Sequence, residues 1–348
     1  MMRFVLSTGG LVALLVAALV YGGIFPALAM AYVTLFTWYM DRLGFFADPD
    51  GPGGAGSEGD GLAMLLGLVQ FPLLIGGVAV ICGAGGQSPG NRVLLFLALG
   101  LYFGQVANSC AHDLIHRSGR AQRRLGVAVF SSMLFGHHAS AHLRVHHVHV
   151  ATPLDPNSAP AGQSYYAFLM RAWPRSLIAG YRAETALRRR ARARGPHPAL
   201  IHAGWSLATG ALVWAVAGGS GIAAWLALSF HAQAQLLLSD YVQHYGLRRR
   251  AIAPGRWEPA GPQHSWNAPQ GFSGALMLNA PRHSDHHLRP GRAYPALTID
   301  RERMPLLPFS LPVMALAALV PPLWRRLMDR RAEAWRGNGQ LPPRPGRV

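Results

Sequence analysis

The chain has 348 residues, of which 51% are hydrophobic and only 14% charged, and its formal net charge is +17. Soluble domains carry about 25% charged residues, so this composition is typical of a membrane protein and excludes an ordinary soluble enzyme. The two cysteines, Cys82 and Cys110, exclude a disulfide framework and a four-cysteine iron site. All 32 basic residues are arginine, which also excludes a lysine Schiff base.

Uncharged stretches long enough to span a bilayer begin at the N-terminus. No charge occurs between Arg3 and Asp41, and Gly22 and Gly23 lie near the middle, so this stretch predicts two helices joined by a tight turn. A cleavable signal peptide is the alternative, but the apolar core of a signal ends after about 15 residues, whereas this stretch continues to Met40. We therefore predict retained helices here, single spans at Gly61–Cys82 and Val93–Ala111, and a further pair at Gly195–Ser239 that turns near Gly218–Gly221.

The connecting segments have a different composition. Gly51–Gly61 is rich in glycine and acidic residues and predicts a mobile loop, and Gly83–Gly90 predicts a second loop. Near the C-terminus, Met304–Trp324 is apolar but contains five prolines, which oppose one continuous helix. We predict that this last segment is interfacial or re-entrant.

Arginine is distributed unevenly along the chain. Residues 1–116 contain 3 arginines and 6 acidic residues, whereas residues 117–348 contain 29 arginines and 9 acidic residues. Because cytoplasmic loops are enriched in basic residues, the second portion indicates the cytoplasmic side of a cell inner membrane. The predicted fold is all-α, with about six transmembrane helices and a cytoplasmic histidine-rich cap. It forms one functional domain of four segments: residues 1–111 (helices one to four), 112–194 (cap with two histidine clusters), 195–243 (helices five and six) and 244–348 (cytoplasmic, with an amphipathic C-terminus).

The 16 histidines are clustered. His112 and His116 are four residues apart, and His142–His147 and His283–His287 repeat this step. Rings four residues apart share one helix face, where imidazoles can bind iron, copper, zinc or nickel. Together with His244, the candidates suit two metal ions with open positions for a small molecule such as oxygen, since one tetrahedral zinc needs only four ligands. The nine candidate ligands are His112, His116, His142, His146, His147, His244, His283, His286 and His287.

The other seven histidines lack a comparable spacing, and we interpret them as structural. A metal-bound imidazole needs a hydrogen-bond partner for its second ring nitrogen. Candidates for that role are Asp155, Asp240 and Asp285, and also His137 and His138, which lie close to the second cluster. The remaining histidines are His149, His197, His202, His231 and His264.

Four motifs resemble those of the integral-membrane di-iron alkane 1-monooxygenases, within the fatty acid desaturase-like superfamily. His112–Arg117 resembles the family's HE(L/M)xHK box, and residues 141–156 resemble its EHxxGHHxxVATPxDP box. Asp240–Leu247 is similar to NYxEHYGL, which contains the HYG signature, and Asn279–His287 is similar to LQRHSDHH. The resemblance covers roughly Tyr102–Trp324, and its last two motifs are more particular to alkane hydroxylases than to desaturases.

The resemblance implies that the nine histidines bind two iron ions and that O2 is a co-substrate. It implies hydroxylation of the terminal carbon of medium- or long-chain alkanes, or of related alkyl substrates that arrive from the membrane lipid. It also implies that rubredoxin and rubredoxin reductase donate the electrons, which agrees with the low cysteine count. A membrane fatty-acyl desaturase or lipid hydroxylase is the alternative enzyme, and a membrane metal transporter is the alternative outside catalysis. Nucleic acid is a poor partner, because the positive charge is interleaved with the predicted spans.

The sequence departs from the family pattern at five positions near the histidines. Asp113, Ala141 and Gln243 stand where the pattern has glutamate, Arg117 replaces a lysine, and Val145 replaces a glycine. Every histidine is retained. The departures therefore affect the expected substrate more than the expected metals.

Overall fold

Most of the described residues, 1–47 and 59–338 of a computed structural model, lie in helices. The first helix, α1 (Met2–Tyr21), ends at the two predicted turn glycines, whose φ angles are 61° at Gly22 and 57° at Gly23. The next helix, α2, continues through Phe25–Ala31, a π-helical turn at Tyr32–Phe36, and Thr37–Arg42. The hydroxyl of Tyr32 donates to the carbonyl of Ser7 over 3.0 Å, so α1 and α2 form the predicted pair of adjacent helices.

Two long helices follow, α3 (Asp60–Ile81) and α4 (Pro89–Ile115). Proline at the first position of α4 needs no hydrogen bond for its nitrogen, and Ser88 caps the helix by accepting from the Asn91 backbone N–H over 3.3 Å. Like α2, α4 contains a π-helical turn, at Phe103–Ala107. The predicted loop Gly51–Gly61 falls mainly on residues outside those described.

The longest helical segment, Pro198–His244, is a hairpin of two helices. Gly218 has φ 57° and ψ −146°, a conformation that side chains exclude, and it separates α8 (198–217) from α9 (219–244). A Cβ atom at Gly210 would lie 3.1 Å from the ring of Trp225. In a straight helix those residues would be about 22 Å apart, so the chain reverses between them, as the sequence predicts.

Within residues 1–47 and 59–338, four helical segments are long and apolar enough to cross a membrane, by length and composition: Met2–Tyr21, Asp60–Ile81, Pro89–Ile115 and Pro198–His244. The last contains α8 and α9, and α2 is helical over a further 18 residues. The helices therefore lie where the six spans were predicted. The all-α membrane fold with a histidine-rich site is confirmed.

The remaining elements lie between the long helices in the chain or after the last of them. The helices are α5 (Arg120–Ser132), α6 (His137–Ala141, a π-helical turn at His142–His146, and His147–His149), α7 (Tyr165–Arg190), α10 (Gly271–Leu276), α11 (His283–Leu288), α12 (Leu311–Ala318) and α13 (Pro321–Asn338). Two short antiparallel strands, β1 (Ala251–Ala253) and β2 (Arg256–Trp257), form a hairpin. Short 3-10 turns occur at Ala84–Gly86, Pro262–His264 and Tyr294–Ala296.

The apolar segment Met304–Trp324 contains no helix of spanning length. Within it, α12 has eight residues and ends before Pro321, where α13 begins. Proline cannot continue the hydrogen-bond ladder of the preceding helix, which explains the break. The prediction that this segment is not one continuous helix is confirmed.

Candidate metal centre

All nine candidate histidines meet in two adjacent groups. Within each group the potential ligand atoms lie within 4.8 Å of one another. The rings of His147 and His287, one from each group, have centroids 4.5 Å apart, so the groups are neighbours. The first group is His112, His116, His142, His147 and His286, and the second is His146, His244, His283 and His287.

The first group converges on a common point. The Nε2 atom of His142 lies 2.8 Å from that of His112, 3.0 Å from that of His116 and 2.9 Å from that of His147. His286 Nε2 lies 3.1 Å from His147 Nε2. One ring nitrogen cannot share protons with three others, whereas ligands at right angles on an ion about 2.1 Å away would be about 3.0 Å apart. The spacing therefore fits a metal ion.

The second group has the same geometry with four rings. The Nε2 atom of His283 lies 3.0 Å from that of His244 and 3.1 Å from that of His287. His146 Nε2 is buried and has no hydrogen-bond partner among the described residues. His146 Nδ1 donates to Asp155 over 2.9 Å, so Nε2 is the ring nitrogen that remains to bind a metal in place of a proton.

The two groups draw on the same helices. At His142–His146 the helix is π-helical, and the His147 N–H donates to the His142 carbonyl five residues earlier. Rings five residues apart therefore share a face, so His142 and His147 join the first group and His146 joins the second. On the α-helical α11, by contrast, His283 and His287 share a group at the ordinary step of four. The sequence does not assign the histidines to individual ions; a step of four would place His142 with His146, and the π-helical turn separates them.

Burial determines the protonation state of most candidate histidines that lie outside the membrane-spanning helices. It lowers the pKa of His142, His147 and His283 well below the usual value, and the neighbouring imidazoles lower it further. The same causes act on the pKa values of His286 and His287. These rings are neutral at pH 7, which is the form that binds a metal.

His146 differs electrostatically from the other rings. Burial lowers its pKa, but the Asp155 carboxylate and their hydrogen bond outweigh burial and raise it above the usual value. The pKa of Asp155 is lowered, because His146 and the Ser158 hydroxyl stabilise the carboxylate against the effect of burial. Asp155 therefore remains ionised and fixes the orientation of the ring.

Asp155 is one of the predicted partners of the ligand histidines, but the contacts of the loop that carries it were not predicted from the sequence. Asp155 accepts from the Asn157 backbone N–H over 3.0 Å and from the Ser158 hydroxyl over 2.7 Å, which is an Asx turn with an added hydroxyl donor. The amide of Asn157 also donates to Asp240 over 2.6 Å. The signal was available, since Asp-Pro-Asn-Ser is a turn sequence.

The other two predicted carboxylate partners make different contacts. Asp240 accepts a hydrogen bond from the Asn157 amide, and its negative charge contributes to the raised pKa of His146. Asp285 accepts from the Thr298 backbone N–H and the Arg292 guanidinium, each over 3.0 Å. These bonds hold the start of α11 against the loop that follows it.

A second polar contact, also not predicted, positions α11. The Asn267 side chain accepts from the Ser284 backbone N–H over 2.9 Å and donates to the Ser284 hydroxyl over 2.7 Å. Asn267 is fully buried, so both bonds are shielded from water. The adjacent His283 is thereby fixed towards the second group.

Four of the positions that depart from the family pattern, Arg117 among them, make defined contacts. Asp113 forms a buried ion pair with Arg117 over 2.8 Å and accepts from the Tyr294 backbone N–H over 3.2 Å. Gln243 donates to the Ala280 carbonyl over 3.1 Å. Ala141 packs against α7, where a Cβ atom at Gly180 would lie 2.9 Å from the Ala141 backbone.

A cavity of about 450 Å³ lies against both groups of histidines. His112, His142 and His283 form part of its wall at the metal end. At the other side its wall includes Leu35, Trp38 and Leu316, whose side chains are 69%, 50% and 68% exposed. The cavity thus connects the histidines with the apolar outer surface of the long helices. Its size and largely apolar character suit a hydrocarbon chain.

The chain resembles known proteins over most of its length. Residues 91–315 match the family model described as "Fatty acid desaturase". Alkane 1-monooxygenase 1 of Pseudomonas aeruginosa is 35% identical, over 80% of this chain and 74% of that protein. Alkane 1-monooxygenase 2 of Alcanivorax borkumensis is also 35% identical, over 70% of this chain and 65% of that protein. The xylene/toluene monooxygenase hydroxylase component XylM of Pseudomonas putida is 28% identical, over 75% and 72% respectively.

Proposed function

This chain belongs to the fatty acid desaturase family and, within it, to the alkane 1-monooxygenases, and from that membership we propose that it hydroxylates the terminal carbon of medium- or long-chain alkanes or related alkyl substrates. The observation that carries this proposal is the contact of one apolar cavity with both histidine groups. A substrate in that cavity would present one carbon to the metal centre. The fold and the relatives support an oxidoreductase of the monooxygenase class.

We propose one iron ion for each histidine group, with the nine histidines as ligands. Neutral imidazole is a suitable ligand for iron, and two bound irons would supply the oxygen activation that no side chain can provide. In the overall reaction, one C–H bond of the substrate is replaced by a C–O bond. One oxygen atom of O2 enters the alcohol, and the other leaves as water with two electrons and two protons from the donor side.

The protein itself positions the substrate and excludes water. The wall of the cavity is largely apolar and accommodates a hydrocarbon chain without hydrogen bonds, and one end of that chain would reach His112, His142 and His283. We propose that substrates enter from the lipid beside Trp38 and Leu316, where the cavity meets the exposed apolar surface. The arginine-rich segments follow the histidine clusters in the chain, which supports a cytoplasmic active site in the inner membrane.

Electrons must come from a partner, for which we propose rubredoxin reduced by its reductase. His147 and His287 are partly exposed as whole residues. The residue after each is an exposed apolar side chain, Val148 at 52% and Leu288 at 37%. With the exposed Arg144 and Arg289, these residues form what we name the donor surface. An apolar centre with a basic rim beside the metal groups suits a small acidic redox protein.

Charge reversal on the donor surface tests this partner. Arg144→Glu is expected to raise the KM for rubredoxin about tenfold at low ionic strength, because attraction becomes repulsion. The difference should shrink as salt is added. Arg189→Glu, an equal charge change at an exposed position on α7, is the control and should leave the KM near the wild-type value. Equal effects of both variants would reject the donor surface.

The proposed activity is tested with membranes that contain the protein, iron, rubredoxin, its reductase and NADH. With labelled O2 and a panel of alkanes and acyl lipids, mass spectrometry is expected to show a primary alcohol that carries one labelled oxygen atom. An unsaturated product without label would instead assign a desaturase. Iron binding without any product from the whole panel would reject alkyl hydroxylation, and a protein that binds no iron would reject the metal assignment.

A further inference from the structure

We propose that Tyr245 and Asp329 position the metal ligand His244, so that the C-terminal helix α13 stabilises the second histidine group from outside. This inference rests on the metal centre of the proposed function and adds two positioning residues to it. Tyr245 directly follows His244 in the chain, and Asp329 lies in α13. Neither side chain belongs to the two histidine groups.

The first observation is that the ring of His244 is held only weakly by its own hydrogen bonds. Its Nδ1 atom lies 3.5 Å from the His264 carbonyl oxygen and 3.4 Å from the Ser265 hydroxyl oxygen. Hydrogen bonds in proteins are usually about 2.7 to 3.2 Å long, so both contacts are weak. His146, by contrast, is held by Asp155 over 2.9 Å. The orientation of His244 therefore depends on the backbone that carries it.

The second observation is that this backbone is fixed on both sides of His244. The Trp266 backbone N–H donates to the Gln243 carbonyl over 2.8 Å, and the Trp266 indole N–H donates to the Tyr245 carbonyl over 2.9 Å. Trp266 is buried, so water does not compete for either bond. Tyr245 has an extended backbone with ψ 119°, and α9 ends there. Tyr245 is thus the point at which the chain leaves α9, directly beside the ligand.

The side chain of Tyr245 joins this end of α9 to two further segments. Its hydroxyl donates to the Asp329 carboxylate over 2.5 Å and accepts from the Gly162 backbone N–H over 2.7 Å. A short hydrogen bond from a hydroxyl to a carboxylate is stronger than one between neutral groups. Gly162 belongs to the connection that follows Asp155, the partner of His146. One phenol group therefore connects α9 with α13 and with the segment that orients a second ligand.

Apolar packing holds α13 in the place that this hydrogen bond requires. Trp324, in the first turn of α13, is fully buried, and its ring centroid lies 5.3 Å from that of Tyr245 and 5.4 Å from that of Tyr241. Met328 follows four residues later on the same face and is also fully buried. The next residue is Asp329, so the packing of α13 keeps its carboxylate within reach of the Tyr245 hydroxyl.

The test is an anaerobic titration of the metal-free protein and its variants with ferrous iron. Asp329→Leu and Tyr245→Phe are expected to bind iron about fivefold more weakly than the wild-type protein, roughly the value of one hydrogen bond. Asp329→Asn loses the charge but can still accept from the tyrosine hydroxyl, so its affinity should stay near the wild-type value. Glu333→Leu, at an exposed position one turn further along α13, is the control and should bind iron normally.

Two further readouts separate positioning from a general loss of stability. The double variant Asp329→Leu/Tyr245→Phe should bind iron no more weakly than Tyr245→Phe alone, because Asp329 acts through Tyr245. Mössbauer spectra of the iron-saturated proteins should show a changed quadrupole splitting for one iron only, since His244 belongs to the second group and not to the first. A general loss of stability would not single out one iron.

Wild-type iron affinity in Asp329→Leu would overturn the inference, and so would additive losses in the double variant, equal spectral changes at both irons, or an Asp329→Asn protein as impaired as Asp329→Leu. If size-exclusion chromatography shows that Asp329→Leu is unfolded, Tyr245→Phe decides, because it removes a single oxygen atom. Iron is titrated without substrate, so a failure of alkyl hydroxylation leaves this result intact. A wild-type protein that binds no iron would reject the metal centre and this inference together.

Discussion

Replacement of His244 by alanine is expected to reduce bound iron to one ion per chain or fewer and to lower alcohol formation at least about 100-fold. His244 is fully buried at the end of α9, and its Nε2 atom lies 3.0 Å from that of His283. The second group has only four rings, so the loss of one leaves three and weakens the hold on its ion. Iron analysis of the purified protein and labelled-oxygen product analysis measure the two effects.

The control for this variant is His202→Ala, which removes a histidine outside both groups. It should retain two iron ions and most of the activity. Size-exclusion chromatography in detergent shows whether each variant remains folded. A folded His244→Ala protein with full iron content and unchanged turnover would contradict the assignment of His244 as a ligand.

The second large effect is expected from Asp155→Asn, which preserves the size of the side chain but removes its charge. Loss of a hydrogen-bond partner of a metal ligand typically lowers metal affinity or activity about 10- to 100-fold, and we expect the iron affinity of this variant to fall by a factor in that range. The physical reason is the 2.9 Å hydrogen bond between His146 Nδ1 and the Asp155 carboxylate. This bond orients the ring and makes its Nε2 a stronger metal ligand. Titration of the metal-free protein with ferrous iron under anaerobic conditions measures the affinity.

A matched variant separates the charge of Asp155 from the fold of its loop. Ser158→Ala removes the 2.7 Å hydrogen bond to Asp155 but leaves the carboxylate against His146. It should lower iron affinity much less than Asp155→Asn. If the two variants were equally impaired, the loop conformation rather than the carboxylate would determine the position of His146.

The fold could be predicted from the sequence because its signals are local. The long stretches without a charged residue predicted the positions of the long helices. Glycines predicted both turns, at Gly22 with Gly23 and at Gly218. Five prolines indicated the interrupted helix at Met304–Trp324. Each of these features depends on neighbouring residues alone.

The division of the histidines could not be predicted in the same way. Spacing places His142 and His146 on one face only if the helix is α-helical, and here the backbone adopts a π-helical turn. This π-helical turn has no clear sequence signature. The cavity could not be predicted either, because its wall combines side chains of α2, α4, α9 and α12, which lie far apart in the chain.

The sharing of helices between the two histidine groups links their assembly. Because α6 and α11 each supply rings to both groups, an ion bound in one group restrains the backbone that carries ligands for the other. The ordering of those helices is then largely complete when the second ion arrives, which lowers the entropy cost of its binding. For two ions bound as proposed, metal loading is expected to be positively cooperative, so molecules with no ion or with two should predominate over those with one.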